Sequence, residues 1–128
     1  MDAEQILTVV RDADQASRHL AHASTDAKNT ALRAMVSGVR TAAKAILAAN
    51  ALDVEDAKKT KLSAALIDRL TLTAQRLDDM VGSIEAVVAL PDPVGTIIRS
   101  WRQPNGLEIR KVRVPLGVIG IIYESRPN

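Results

Sequence analysis

The feature that most constrains the fold is a nearly continuous apolar run at residues 118–123. It consists of Val118, Ile119, Gly120, Ile121, Ile122 and Tyr123. This composition is typical of a strand covered on both faces, as in a parallel sheet flanked by helices. Because a parallel strand needs neighbours, the run predicts an interior strand whose partner strands are not among these 128 residues. We therefore expect the chain to be a fragment of an α/β protein.

Residues 2–90 instead have the apolar spacing of amphipathic helices. Asp2 and Gln5 are spaced as a capping box for a first helix. The face of this helix is predicted from Ile6, Val9, Ala13, Ala16 and Leu20. A second helix is predicted to begin near Ser24 or Thr25 and to stop at Asn50. Its inward stripe, which we assign to the core rather than to a partner, consists of Leu32, Met35, Val36, Val39, Ala43 and Ile46.

Three shorter helical segments complete this half of the chain. Two are predicted at residues 52–59 and 63–70, and Thr73 is predicted to cap the third. The inward residues of the third helix are Leu77, Met80, Val81, Ile84 and Val88. Pro91 and Pro93 end it, because proline lacks the helical donor and restricts the residue before it.

From Gly95 the pattern changes to that of strands. A first strand leads to Trp101, and Asn105 and Gly106 form the strongest type of hairpin signal. In the return strand the apolar phase slips by one residue, which predicts a β-bulge near Arg110 or Lys111.

Composition excludes several kinds of site. The chain has no cysteine, so it contains no thiolate nucleophile, disulfide or sulfur-ligated metal. His19 and His22 have the spacing of one helix face, but they lack a suitable third ligand and are interpreted as surface residues. The hairpin is basic, yet Trp101 is its only aromatic residue, which argues against nucleic acid. No signal peptide or membrane-spanning run is evident, and a cytoplasmic location is expected.

Four strings give the sequence a family resemblance. They are LIDRLTL at 66–72, LPDPVG at 90–95, PNGL at 104–107 and PLGVIGIIYESRPN at 115–128. In content, order and spacing they resemble the γ-glutamyl phosphate reductase family of the aldehyde dehydrogenase superfamily. The resemblance implies an N-terminal part of an aldehyde-dehydrogenase-like α/β fold. In that fold residues 1–95 are the helical start of the cofactor domain, 96–115 a hairpin of the oligomerisation flap, and 116–128 the first strand and loop of a Rossmann-like sheet.

The resemblance also implies a chemistry. Members reduce L-glutamyl 5-phosphate to L-glutamate 5-semialdehyde with NADPH in proline biosynthesis, through a cysteine thiolate that lies outside this chain. Asn128 resembles the side-chain donor to the oxyanion, although its spacing from Gly120 is two residues longer than is typical of aldehyde dehydrogenases. Glu124, Ser125 and Arg126 follow the strand where such sheets bind ligands, and are expected to contact cofactor or substrate. The individual roles of these three residues stay open.

Expected partners are the acyl-phosphate substrate, a second copy of the chain through the flap, and the glutamate kinase that makes the substrate. The fragment by itself is expected to be inactive. The alternative from another class is a complete small helical interaction module that ends in a hairpin. Solution behaviour separates the two, because a complete module unfolds cooperatively whereas a fragment with an unpaired apolar strand aggregates or stays partly molten.

Overall fold

A computed structural model describes residues 2–122, and within them four helices precede a two-stranded antiparallel sheet. The elements are α1 (Ala3–Leu20), α2 (Thr25–Lys59), α3 (Ala64–Leu70), α4 (Ala74–Ala89), β1 (Ile97–Arg102) and β2 (Glu108–Val112). The chain divides into two units, one containing α1 with Pro91–Ile121 and the other containing Asp26–Leu90. The described part is thus mainly helical, and the predicted α/β class is seen only in part.

The start of α1 is fixed by the predicted capping box. Asp2 Oδ1 accepts from the Gln5 amide at 2.8 Å, and Gln5 Oε1 accepts from the Asp2 amide at 2.9 Å. These bonds satisfy two of the amide donors that a helix leaves unpaired at its N-terminus. No residue of Ala3–Leu20 is buried, and Ile6 and Leu20 on its apolar face stay largely exposed. The order of α1 therefore comes from local bonding more than from packing.

Helix α2 runs without interruption through Asn50, so the predicted stop there is wrong. The segment predicted as a separate helix at residues 52–59 is the last part of the same 35-residue helix. The predicted stripe is largely confirmed, because Val36 is buried and most of its other members are half-buried. Met35 is the exception and faces solvent.

Helices α3 and α4 begin where the sequence predicts. Ser63 accepts from the Leu66 amide, and Thr73 Oγ1 accepts from the Arg76 amide at 3.1 Å. On α4, Leu77 is 4% exposed and Val81 only 1%, which makes Val81 the most deeply buried large side chain of the described residues. The small core of this unit consists of Val36, Ala57, Leu77 and Val81.

The hairpin between β1 and β2 is confirmed. Gly106 donates to Gln103 O at 2.9 Å and has a φ of +87°, a backbone conformation that favours glycine. Asn105 Oδ1 accepts from the Leu107 amide at 3.1 Å and holds the turn from inside. Arg113 extends the pairing beyond β2 by exchanging bonds with Gly95 and Thr96.

A bulge is present, but on the other strand from the one predicted. Ile97 pairs with Val112 and Arg99 with Lys111, so the extra residue is Ile98 on β1 rather than a residue near Arg110 or Lys111. With the extra residue on β1, the side chains of β2 alternate without interruption, so Ile109 and Val112 lie on opposite faces of the sheet. The change of apolar phase in β2 therefore marks a change of face and not an inserted residue in that strand.

The predicted interior strand is not formed over its described residues. Residues 114–122 have no helix or strand assignment, and Ile119 and Ile121 are mostly exposed while Ile122 is fully exposed. The physical reason is that a parallel strand has no hydrogen-bond partners unless neighbouring strands are present. Tyr123 lies outside the described residues.

Candidate functional site

All four predicted site residues lie outside the described residues. Glu124, Ser125, Arg126 and Asn128 follow the last described position, Ile122. Their roles therefore remain predictions. The structure does place the chain that leads to them, which leaves the hairpin at Arg113 and passes through an irregular apolar stretch.

The string at residues 66–72 is one of three family motifs that lie wholly within the described residues. It forms α3 and the extended link to α4, and two side chains from neighbouring helices hold its backbone. Asn50 is 7% exposed; its Nδ2 donates to Leu70 O at 2.9 Å, and its Oδ1 accepts from the Leu72 amide at 2.6 Å. The Asn50 amide thus pairs with the backbone as a neighbouring strand would.

Arg76 holds the same segment from the other side. Its Nη1 donates to Asp68 O at 2.5 Å and to Thr71 O at 2.6 Å, and its Nη2 lies 3.2 Å from the Asp68 carboxylate. The Arg76 side chain is only 29% exposed, so its bonds to the two carbonyl oxygens are partly shielded from water, whereas the Asp68 side chain of the ion pair is 74% exposed. Through two hydrogen bonds to carbonyl oxygens and one ion pair, Arg76 stabilises the link between α3 and α4.

Sequence reasoning missed both Asn50 and Arg76. The sequence pattern predicts Asn50 as a helix stop and assigns no role to Arg76. A signal for Asn50 was available, since its position continues the spacing of the inward stripe, where a polar residue must find partners. Both side chains bond to backbone groups of residues 68–72, so their role in the structure is to hold that segment in place.

The basic hairpin is the second prominent group of polar side chains. Arg99 lies over the Trp101 ring at 5.3 Å from its centroid, a cation–π contact. Arg110 pairs with Glu108 at 3.1 Å. The cross-strand register places Arg99 directly opposite Lys111.

Neither a metal-binding cluster nor a membrane-spanning helix is found among residues 2–122. Within residues 2–122 no three His, Asp or Glu side chains come together in a way that would hold a metal ion. His19 is the penultimate residue of α1 whereas His22 lies beyond its end, so the predicted shared helix face does not exist. Among the helices of the same residues, none has both the length and the apolar character needed to cross a bilayer.

Two solved structures share the architecture described above. A γ-glutamyl phosphate reductase from Thermotoga maritima matches with a TM-score of 0.81 and 38% identity, over 85% of this chain and 26% of that one. The enzyme of the same name from Saccharomyces cerevisiae matches with a TM-score of 0.81 and 28% identity, over 90% of this chain and 29% of that one. The described fold is therefore similar to a part of each of these two reductases.

Sequence relatives narrow the assignment. A γ-glutamyl phosphate reductase from Thermodesulfovibrio yellowstonii is 49% identical over 123 residues, and one from Rhodopseudomonas palustris is 52% identical over 118 residues. These alignments cover 96% and 92% of this chain, but only 29% and 27% of the relatives. No protein-family model matches the sequence. The chain matches a part of γ-glutamyl phosphate reductase, which confirms the resemblance drawn from its motifs, and it spans less than a third of that protein's length.

Proposed function

We propose that this chain forms part of an enzyme that reduces L-glutamyl 5-phosphate to L-glutamate 5-semialdehyde, with release of phosphate, in proline biosynthesis. The observation that carries the proposal is the identity of about half the residues, over more than nine tenths of the chain, to proteins named γ-glutamyl phosphate reductase. The likeness in fold to two solved enzymes of that name adds independent support.

The proposed chemistry needs groups beyond these residues. A cysteine thiolate would displace phosphate from the acyl group to form a thioester. Bound NADPH would supply the hydride that reduces this thioester, and collapse of the adduct would release the aldehyde and return the thiolate. The chain has no cysteine, so the nucleophile would lie elsewhere in the protein. The 128-residue chain by itself is accordingly proposed to be inactive.

Four residues of this chain are proposed to serve that reaction. The Asn128 side-chain amide would donate to the oxyanion that forms when the acyl carbon becomes tetrahedral, and it would do so without reorganising solvent. Glu124, Ser125 and Arg126 would contact the cofactor at the end of the first strand of a Rossmann-like sheet. The described part of the same segment, residues 116–122, would become that strand once neighbouring strands are present.

The hairpin is proposed as part of a flap that joins subunits. Both outer edges of a two-stranded sheet carry unpaired amide and carbonyl groups, which a second copy of the protein can pair. The glutamate kinase that makes the substrate is a further proposed partner, since a direct transfer would protect a reactive acyl phosphate from hydrolysis.

The test begins with the coding DNA downstream of Asn128. The longer product is expressed and assayed in the reverse direction. The assay follows the phosphate-dependent reduction of NADP⁺ to NADPH as glutamate semialdehyde is oxidised, with the 128-residue chain as the matched control. We expect turnover by the longer product and none by the control, and a strong loss of turnover for Asn128→Ala in the longer product. A folded longer product that turns over with neither NADP⁺ nor NAD⁺ would refute the proposed function, and a near-normal rate for Asn128→Ala would refute the role of that residue.

A further inference from the structure

The two faces of the hairpin differ in charge balance. Side chains alternate between faces along a strand, and cross-strand partners share a face. The register therefore places Arg99, Trp101, Ile109 and Lys111 together. Arg113, which bonds to Gly95 and Thr96 just beyond β2, continues the alternation on the same side, and these five residues are named here the Trp101 face. The opposite face holds Ser100, Arg102, Glu108, Arg110 and Val112.

Only the opposite face contains a carboxylate. Glu108 is the single acidic residue between positions 96 and 113, and it pairs with Arg110 at 3.1 Å. Within residues 2–122 no ion pair links Arg99, Lys111 or Arg113 to an acidic side chain. The Trp101 face thus carries three cations and no internal counter-charge.

The register makes this arrangement unfavourable unless an anion is present. Arg99 lies directly opposite Lys111, and like charges at such positions destabilise a strand pair. The cation–π contact of Arg99 with Trp101 offsets part of the repulsion but supplies no negative charge. An anion bound on this face, between the side chains of Arg99 and Lys111, would interact with both cations at once.

We propose that the Trp101 face binds an oxyanion of the phosphate class. A phosphate group carries more than one negative charge at neutral pH, about −1.5 to −2 for a monoester, which suits a pair of opposed cations better than a single carboxylate does. The guanidinium groups of Arg99 and Arg113 match its oxygen geometry, while Lys111 contributes a point charge. The site belongs to the hairpin and does not depend on the proposed reductase function.

Trp101 makes the binding directly measurable. It is the only tryptophan of the chain, it is 37% exposed, and Arg99 lies against its ring. The 128-residue chain is titrated with inorganic phosphate at constant ionic strength, with chloride as the replaced anion, while tryptophan emission is recorded. We expect a saturable change with a millimolar dissociation constant, because exposed cations attract anions weakly in water.

Matched variants locate the site. Lys111→Gln and Arg113→Gln are expected to weaken phosphate binding by about threefold each, whereas Arg110→Gln, which removes the same charge from the opposite face, should leave it unchanged. Lys111→Arg should retain binding and guards against an effect of altered folding, which far-UV circular dichroism checks in every variant.

Three results would overturn the proposal. Phosphate could act no differently from chloride at equal ionic strength. Arg110→Gln could weaken binding as much as Lys111→Gln, which would indicate a diffuse positive field. A single-stranded oligonucleotide could bind while inorganic phosphate does not, which would assign the face to a polymer.

Discussion

Replacing Asn50 with alanine should destabilise the α2–α3–α4 unit more than any other single polar substitution in it. The change removes both bonds of the side chain, to Leu70 O at 2.9 Å and from the Leu72 amide at 2.6 Å. It also leaves the Leu70 carbonyl and the Leu72 amide without these hydrogen-bond partners in half-buried positions. Each unsatisfied group lowers the free energy of unfolding by roughly 1–3 kcal/mol when water is fully excluded. Because Leu70 and Leu72 retain some access to water, we expect a total of about 2–4 kcal/mol.

Urea unfolding followed by far-UV circular dichroism measures this loss, and hydrogen exchange of the Leu72 amide reports it locally. The exchange measurement stays informative even if the chain unfolds without a single cooperative transition. Lys44→Ala, on the exposed side of the same helix, is the control and should change stability by less than about 0.5 kcal/mol.

A second substitution separates the two bonds. Asn50→Asp keeps an acceptor for the Leu72 amide but places a carboxylate against Leu70 O. Its deficit relative to the wild-type chain should therefore shrink at acidic pH, where a protonated carboxyl group regains a donor. If Asn50→Ala leaves both the unfolding curve and the Leu72 exchange rate unchanged, Asn50 does not stabilise the segment between α3 and α4, and the reasoning is refuted.

Four further substitutions test other features. Arg76→Met should cost about 1–2 kcal/mol in urea unfolding, since it removes the bonds to the carbonyl oxygens of residues 68 and 71; an unchanged midpoint would contradict this. Gly38→Ala and Gly82→Ala should each stabilise the chain by about 0.5–1 kcal/mol, because both glycines are inside helices and an added Cβ meets nothing within 4 Å; a loss of stability would show an unseen neighbour. Asp2→Ala should speed amide exchange in the first turn of α1 without affecting α4, and equal effects in both helices would argue against a local cap.

Local chemistry was readable from the sequence where a side chain bonds to its own neighbourhood. The Asp2 and Gln5 box, the Thr73 cap and the Asn105 turn each depend on residues within a few positions of one another, and all are confirmed. The family motifs were likewise sufficient to indicate the reductase relatives, because the content, order and spacing of four short strings can be compared without knowing the fold.

Long-range pairing was not readable in the same way. Asn50 resembles a helix stop when only its neighbours are considered, and its true partners are 20 and 22 residues away. The bulge was predicted on β2 from its apolar phase, but apolar residues lie on both faces of β2, and the extra residue, Ile98, is on β1. The candidate site could be predicted only by family likeness, since no single residue between 124 and 128 carries a pattern that fixes its role.

The exposed stretch after the hairpin has a consequence for handling the protein. From Leu116 to Ile122 the sequence contains no charge and no proline, and its side chains are open to solvent. Identical short segments of this kind can stack between molecules into cross-β layers. In the sequence, Arg113 and Pro115 precede this segment and Glu124 and Arg126 follow it, and residues of these types act as gatekeepers against such stacking. The composition that suits this segment to the middle of a sheet therefore also makes its unpaired form a nucleus for fibrils at high concentration.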